Sequence, residues 1–156
     1  MATTDRWSDR LAELGVTLPA VAAPVAAYVP AVRVGNQVWT SGQLPFVEGA
    51  LPATGKVGGA VTADDAQGYA RLCALNALAA VDALVGIDNV TRVLKIVGFV
   101  ASAEGFTGQP GVVNGASTLI GEVFGEAGAH ARSAVGVAEL PLGAPVEVEI
   151  VVEVAE

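Results

Sequence analysis

Residues 131–139 read ARSAVGVAE, and residues 146–154 read VEVEIVVEV. Successive side chains of a β-strand point to opposite faces, so both runs predict strands, which we expect to form a pair joined by a turn over 140–145. In the first strand Arg132 shares a face with small residues, among them Ala134. An arginine with small neighbours has open space beside it, which indicates a candidate ligand site on this strand.

The segments before these strands predict both helices and strands. A Thr or Asp before an apolar run marks a helix start, Gly marks a helix end, and Gly-Asn between short β-rich runs marks a hairpin. On these signals we expect, in chain order, a helix over 4–15 capped by Thr4, extended coil over 16–30, a hairpin over 32–40, a loop over 44–59, a helix over 62–85, a strand over 90–100 and a helix from Pro110. This order predicts an α+β fold, with a mostly antiparallel or mixed β-sheet and helices packed on one face. A second copy of the chain is the simplest cover for the other face.

The composition favours one oligomeric domain over 1–156. Hydrophobic residues make up 53% of the chain and charged residues 15%, which favours apolar surface buried between subunits. The net charge of −8 disfavours nucleic acid and anionic membranes as partners. One Cys and one His argue against an intrachain disulfide and a His-rich metal site, and we expect no metal or other cofactor. We find no leader and no uninterrupted apolar run of membrane-spanning length, which favours the cytoplasm.

Arg132 is the leading candidate for ligand binding. Its planar guanidinium matches a carboxylate bidentately, and its small neighbours leave room for one. A structural ion pair with one of the many acids is the alternative. Glu149 lies centrally in the last predicted strand, so it is a candidate for proton transfer or for orienting water. Glu147 and Glu153 are expected to face solvent.

Other positions are weaker candidates. Ser41 and Gly42 follow a strand, where a glycine lets a ligand approach the backbone closely, although an ordinary turn has the same pattern. Tyr28, in proline-rich coil, can cover a pocket or simply pack. Asn114 can cap a helix or contact a ligand. His130 is expected to be structural, as a lone histidine more often is.

Several stretches together resemble the RidA/YjgF (reactive intermediate deaminase) family, whose name is often given as endoribonuclease L-PSP. They are YVPAV at 28–32, GNQVWTSGQLP at 35–45, VVNGA at 112–116, ARSAV at 131–135, LP at 140–141 and VEVEI at 146–150. The matches run in order over residues 24–155. An N-terminal helical extension over 1–23, a long loop at 46–60, an insertion at 142–145, and His130 where proline is usual indicate a divergent branch.

The resemblance implies a chorismate-mutase-like α+β fold, assembled as a homotrimer with three clefts between subunits. It implies that Arg132 binds the carboxylate of a small metabolite and that Glu149 positions the attacking water. The further cleft-lining positions that it implies are Tyr28, Ser41, Gly42, Asn114 and Ala134. The implied reaction is the hydrolysis of 2-aminoacrylate-type enamine/imine intermediates to 2-keto acids and ammonia, without a metal or organic cofactor.

Two other functions compete with this hydrolase. One is a non-catalytic binder or sensor of a small carboxylate on the same trimer. The other is an endoribonuclease, which the net charge of −8 and the lack of a basic patch disfavour.

Overall fold

The computed structural model describes residues 6–21 and 27–156. The helices are α1 (Trp7–Glu13), α2 (Ala63–Val85) and α3 (Gln109–Phe124). The strands are β1 (Ala31–Val34), β2 (Gln37–Thr40), β3 (Val90–Ala101), β4 (Ala131–Val137) and β5 (Val146–Val154). Short 3-10 turns occupy Ile87–Asn89, Gly125–Gly128 and Pro141–Gly143. The predicted α+β class is confirmed.

The five strands form one mixed sheet in the order β1-β2-β5-β3-β4. β3 and β4 are parallel, and all other neighbours are antiparallel. The predicted pairing of the two C-terminal strands is therefore wrong, because β3 lies between them. The cause is α3, which connects β3 to β4 as a crossover and returns the chain parallel to β3 at the sheet edge. β5 then pairs on the other side of β3.

The predicted hairpin is confirmed. Val34 pairs with Gln37 across the turn, and Gly35 has a φ of 58°. This left-handed conformation favours glycine, because it strains residues that carry a Cβ.

The two faces of the sheet differ in what covers them. Alternate residues of β5, from Val146 to Val154, are buried on the face that α2 covers. One face of α3 is buried, and its members are Val112, Ala116, Leu119, Val123 and Phe124. The opposite face carries half-buried and exposed side chains, and no helix within residues 6–21 and 27–156 packs on it. We call this side the open face.

Two glycines allow α3 to pack closely. A Cβ on Gly98 of β3 would lie 2.4 Å from a methyl of Val113, and a Cβ on Gly115 would lie 1.9 Å from the Gln67 carbonyl oxygen of α2. The Gln67 side chain also donates to the Gly111 carbonyl at 2.8 Å. α3 is therefore held against both the sheet and α2 at the turns that carry Asn114.

Helix α1 is shorter than predicted and begins at Trp7, while Thr4, the predicted cap, lies outside the described residues. Its cap comes from a distant residue, because Asp88 accepts hydrogen bonds from the Ser8 N–H at 2.8 Å and from the Ser8 hydroxyl at 2.7 Å. The Trp7 ring donates to the Val90 carbonyl at 2.7 Å and packs edge-on against Phe124. The N-terminal helix is thus docked on the rest of the fold.

Helix α2 begins as predicted. The Thr62 hydroxyl accepts from the Asp65 N–H at 3.1 Å, which caps the first turn. By length and composition alone α2 is apolar enough to cross a membrane, but half of that segment is buried inside the fold. Its charges include Arg71 and Asp82. These features are typical of the core helix of a globular domain.

Candidate functional site

The Arg132 guanidinium lies against the N-terminal half of α3. Its Nη1 donates to Asn114 Oδ1 at 2.7 Å and to Ser117 Oγ at 3.3 Å, and its Nη2 donates to the Pro110 carbonyl at 3.4 Å. Ile96 is the neighbour of Arg132 in the parallel β3–β4 ladder, which places the arginine on the helix-covered face. Two of the predicted site residues, Arg132 and Asn114, are thus in direct contact within one chain.

The acceptors of Arg132 are all neutral oxygen atoms. None of the ion pairs within residues 6–21 and 27–156 includes Arg132; they join Arg6 to Asp88, Arg10 to Glu13, Lys56 to Glu139 and Arg71 to Glu122. The structural ion pair considered as an alternative is thus absent from this part of the chain. A half-buried guanidinium held by neutral oxygens retains its full charge for an anion.

The Arg132 contacts continue to His130. Ser117 Oγ lies 2.9 Å from His130 Nε2, and His130 Nδ1 lies 2.6 Å from the Gly128 carbonyl oxygen. Both ring nitrogens of this half-buried histidine have polar partners. His130 was expected to be structural, and that expectation did not include its connection to Arg132 through the Ser117 hydroxyl.

Ser41 and Gly42 lie in a β-bulge opposite Glu149. The β2–β5 ladder ends at the pair Trp39 and Val151, and pairing resumes between Gln43 and Val148. The three residues 40–42 therefore lie opposite only two residues of β5, Glu149 and Ile150. At the break, the Ile150 N–H donates to Thr40 Oγ1 at 3.0 Å. Bulges redirect the side chains and backbone of an edge toward a neighbouring site.

The bulge also fixes the coil that contains Tyr28. The Ser41 hydroxyl donates to the Val29 carbonyl at 2.6 Å, and the Ser41 N–H donates to the Pro30 carbonyl at 2.8 Å. Tyr28, 43% exposed, is the neighbour of Val29. Ser41 therefore anchors the segment on which the family resemblance places a cleft-lining tyrosine.

Glu147 is not the solvent-facing residue that was expected. It is half-buried, and a Cβ on Gly42 would lie 2.5 Å from its Oε1, so a larger residue at position 42 would require the carboxyl group to move. Burial raises the pKa of Glu147, and the nearby negative charge of Glu149 raises it further. Glu149 is also half-buried and lies two residues along the same face.

The predicted site residues fall into two groups on opposite faces of the sheet. Ile96 pairs with both Arg132 and Ile150, whereas Val97 pairs with both Ser133 and Glu149. The helix-covered face therefore holds Arg132, Asn114 and the half-buried Ala134, which packs against the core. The open face holds Glu149. One chain does not bring Arg132 and Glu149 together.

Sequence reasoning missed the contacts of Ser117 and the Pro110 carbonyl with Arg132, and the half-burial of Glu147. A signal for two of them was present, because residues 110, 114 and 117 have the spacing that places residues on one helix face. The half-burial of Glu147 depends on the bulge at Ser41 and Gly42. That bulge could not be predicted, because it depends on which strands pair and in which register. Within the described residues no three His, Cys, Asp or Glu side chains cluster as metal ligands.

Comparison with known proteins identifies the family. Residues 8–154 match the model of the family described as "YjgF/chorismate mutase-like, putative endoribonuclease". The chain belongs to the YjgF/chorismate mutase-like (RidA) family. The resemblance noted from its motifs is thus confirmed, and so is the chorismate-mutase-like α+β fold.

Relatives of this RidA-family chain cover nearly its whole length. Protein TCP17 from Trypanosoma cruzi is 46% identical over 155 residues, which span 98% of this chain and 97% of TCP17. The crystal structure of Atu1372 from Agrobacterium tumefaciens, a protein of unknown function, is 47% identical, with a TM-score of 0.88 over 96% of this chain and 92% of its own. E. coli TdcF with bound serine is 28% identical, with a TM-score of 0.66 over 89% of this chain and 96% of its own.

Proposed function

We propose that this protein hydrolyses reactive enamine/imine intermediates of the 2-aminoacrylate type, giving a 2-keto acid and ammonia. The observation that carries the proposal is the Arg132 guanidinium, which is half-buried and held by neutral oxygens of α3. The family relative TdcF was crystallised with bound serine, a small carboxylate. In this chain Arg132 is the group suited to hold such a carboxylate.

In the proposed reaction, water adds to the carbon of the substrate C=N bond. Glu149 accepts one proton of that water and returns it to the substrate nitrogen. The resulting carbinolamine then loses ammonia, and the hydroxyl oxygen becomes the carbonyl oxygen of the 2-keto acid. An enamine substrate first tautomerises to the imine. Arg132 acts by fixing the carboxylate, so positioning accounts for most of the acceleration.

The site is proposed to lie between copies of the chain. Arg132 and Glu149 are on opposite faces of the sheet, so a substrate touching both requires Arg132 from one copy and Glu149 from another. The open face carries exposed apolar side chains, among them Val32, Trp39 and Val135. Apolar patches of this kind mark interfaces. A homotrimer with three equivalent clefts satisfies both observations.

A non-catalytic carboxylate binder is the second candidate. The Arg132 contacts support it equally, because holding a carboxylate needs only the guanidinium, whereas turnover also needs Glu149 from the other face. Ribonuclease activity, which appears in the description of the family, is disfavoured by the net charge of −8 and the resulting repulsion of phosphates.

The test measures ammonia and 2-keto acid release from imines generated by an amino-acid oxidase. We expect the wild-type protein to accelerate release and Arg132→Ala to abolish the acceleration. Glu149→Gln is expected to retain ligand binding and lose turnover. Arg33→Ala is the matched control, because Arg33, like Arg132, donates to neutral oxygens, in its case the carbonyls of Gly35 and Ala155.

The outcomes separate the candidates. If wild-type protein accelerates no imine but 2-keto acids raise its melting temperature through Arg132, the protein is a binder. Equal melting shifts in Arg132→Ala would contradict both candidates. Salt-sensitive RNA cleavage by rigorously purified protein would support the ribonuclease.

A further inference from the structure

A chain of hydrogen bonds connects Arg132 to the single histidine of the sequence. Arg132 Nη1 donates to Ser117 Oγ at 3.3 Å, and Ser117 Oγ lies 2.9 Å from His130 Nε2. On the far side of the ring, His130 Nδ1 lies 2.6 Å from the Gly128 carbonyl oxygen. Gly128 is buried. The imidazole is therefore held on both sides.

The Gly128 carbonyl determines which nitrogen of His130 changes its protonation. A carbonyl oxygen only accepts hydrogen bonds, so Nδ1 carries a proton in both charge states of the ring. Nε2 is then the atom that gains or loses a proton. In the neutral ring, Nε2 accepts the hydroxyl proton of Ser117, which leaves the Ser117 lone pairs free to accept from Arg132.

Protonation of Nε2 reverses this arrangement. The Nε2–H then donates to one lone pair of Ser117 Oγ while the Arg132 Nη1–H donates to the other, so two cationic donors meet at one oxygen and the Ser117 hydroxyl proton loses its acceptor. It also places a second positive charge one hydroxyl away from the guanidinium. Both effects favour movement of Arg132 away from Ser117 and toward an incoming carboxylate, and both increase the attraction for an anion.

The other groups around His130 come from α3, from the Gly125–Gly128 turn and from β3. From α3 the group in contact is the uncharged Ser117, while Glu122 of the same helix pairs with Arg71. The 3-10 turn contributes the Gly128 carbonyl and also contains the exposed Glu126. On β3, Lys95 is the partner of Ala131, the residue after His130.

Within residues 6–21 and 27–156, neither Glu126 nor Lys95 forms an ion pair or side-chain hydrogen bond with His130. Arg132 is the charged group to which the histidine is linked, through the hydroxyl of Ser117.

We propose that Ser117 and His130 are positioning residues for Arg132 and couple carboxylate capture to protonation of His130. The inference rests on the carboxylate site of the proposed function but does not require turnover. Imidazole is the side chain that ordinarily changes charge between about pH 5 and about pH 8. By linkage, protonation strengthens carboxylate binding, and carboxylate binding favours the protonated ring by the same factor.

The first experiment measures pyruvate binding to tag-free protein by calorimetry from about pH 5 to about pH 8. Pyruvate stays ionised over this range. We expect wild-type affinity to rise about fivefold toward the acidic end. In His130→Gln and Ser117→Ala the affinity is expected to be independent of pH.

The controls separate positioning from folding. Ser117→Thr keeps the hydroxyl and should restore the pH dependence. Thr118→Ala removes a hydroxyl from the next residue of α3, which is exposed, and should bind like wild type. A structural defect in α3 would weaken binding at every pH and would leave the slope unchanged.

The second experiment uses the single histidine. In ¹⁵N-histidine NMR, one pair of ring signals reports His130 without assignment. We expect the neutral ring to carry its proton on Nδ1. Addition of pyruvate near neutral pH should shift the signals toward the protonated ring in wild type, and no shift should occur in Arg132→Ala.

The outcomes distinguish this inference from the proposed function. An Nε2-protonated neutral ring, or the same pH dependence in wild type and His130→Gln, would overturn the inference and leave the carboxylate site intact. If pyruvate fails to bind wild type at every pH, or binds Arg132→Ala equally well, the carboxylate site is wrong and the inference falls with it.

Discussion

Arg132 forms no ion pair within residues 6–21 and 27–156, because the groups that it contacts there are an amide, a hydroxyl and a backbone carbonyl rather than acids. Asn114 Oδ1, at 2.7 Å, is the closest of these acceptors. In a chain of net charge −8, neutral acceptors around a half-buried arginine leave room for an external anion. Strand alternation predicted the cation and its small neighbours. It did not predict the acceptors, because they come from a helix whose packing is tertiary.

Asn114→Asp tests this arrangement at the level of one atom. The substitution is nearly isosteric and places a carboxylate against the guanidinium, so the protein itself would neutralise Arg132. We expect the fold to persist and pyruvate affinity, measured by calorimetry, to fall at least about tenfold, or about 1.4 kcal/mol. Asn114→Ala is the control, since it removes the acceptor without adding charge and should cost less. Undiminished binding by the Asp variant would contradict the assignment of Arg132 as the anion site.

Glu147 gives a prediction on stability against pH. Its pKa is raised in the folded protein by burial and by Glu149, so the folded state binds the proton more tightly than the unfolded state does. The folded state is therefore penalised as pH rises from the ordinary glutamate pKa through the raised value. Glu147→Gln should be more stable than wild type at pH 7, and the difference should disappear in acid. Solvent screening keeps the effect below about 1 kcal/mol. Urea unfolding at several pH values measures it, and a pH-independent difference would contradict the mechanism.

Among the elements, α3 does most to position the site, because it carries the acceptors of Arg132. It also packs closely against β3 at Gly98 and against α2 at Gly115. Its apolar face could be predicted from spacing of apolar residues alone. The close approaches at Gly98 and Gly115 could not, because a glycine in a sequence does not reveal which backbone lies against it. The same limit explains the incorrect β4–β5 pair, since alternation predicts strands but not their neighbours.

Gly115→Ala tests the helix packing. The added Cβ would lie 1.9 Å from the Gln67 carbonyl oxygen, so α2 and α3 must separate, at a cost of about 1–3 kcal/mol. Because Asn114 and Ser117 flank this position, pyruvate binding should weaken as well. Gly121→Ala is the matched control on the same helix, where open space surrounds the added methyl. It should stabilise the protein by about 0.5–1 kcal/mol, and equal effects at the two positions would contradict this account.

Helix α1 gives an acid-sensitive prediction. Burial raises the pKa of Asp88, but this is outweighed by the Ser8 N–H, the Ser8 hydroxyl and Arg6, so the pKa lies below its usual value. The contact therefore stabilises the fold above the unfolded-state pKa, and its contribution is lost as pH falls through the folded-state pKa. Hydrogen-exchange protection in α1 should decrease below about pH 4. Asp88→Asn should remove this pH dependence, whereas Asp9→Asn, a change within α1 itself, should retain it.

For the whole molecule, the open face is the feature that a single chain leaves unexplained. The high apolar content of the sequence indicated oligomerisation, and the sheet topology shows which side carries the exposed apolar residues. The number of copies and their arrangement could not be read from the sequence pattern, because they depend on how two curved surfaces fit.

Trp39→Glu tests whether the open face is buried between copies. Trp39 is 50% exposed in the single chain, and a carboxylate there would be costly to bury at an interface. We expect wild type to have the mass of a trimer by light scattering, and Trp39→Glu to dissociate and lose imine hydrolysis. Leu84 of α2 is 46% exposed and lies on the helix-covered side of the sheet. Leu84→Glu should therefore remain assembled. If Trp39→Glu stays trimeric, the interface lies elsewhere on the chain.

The placement of Arg132 and Glu149 on opposite sides of one sheet has a consequence for mixtures of defective subunits. If every cleft takes its cation from one copy and its acid from the next, Arg132→Ala and Glu149→Gln homotrimers are both inactive, yet each variant supplies what the other lacks. After dissociation and reassembly together, every hybrid ring contains one intact cleft. Equal mixing should therefore recover roughly a quarter of wild-type turnover, whereas a cleft made within one chain would recover none.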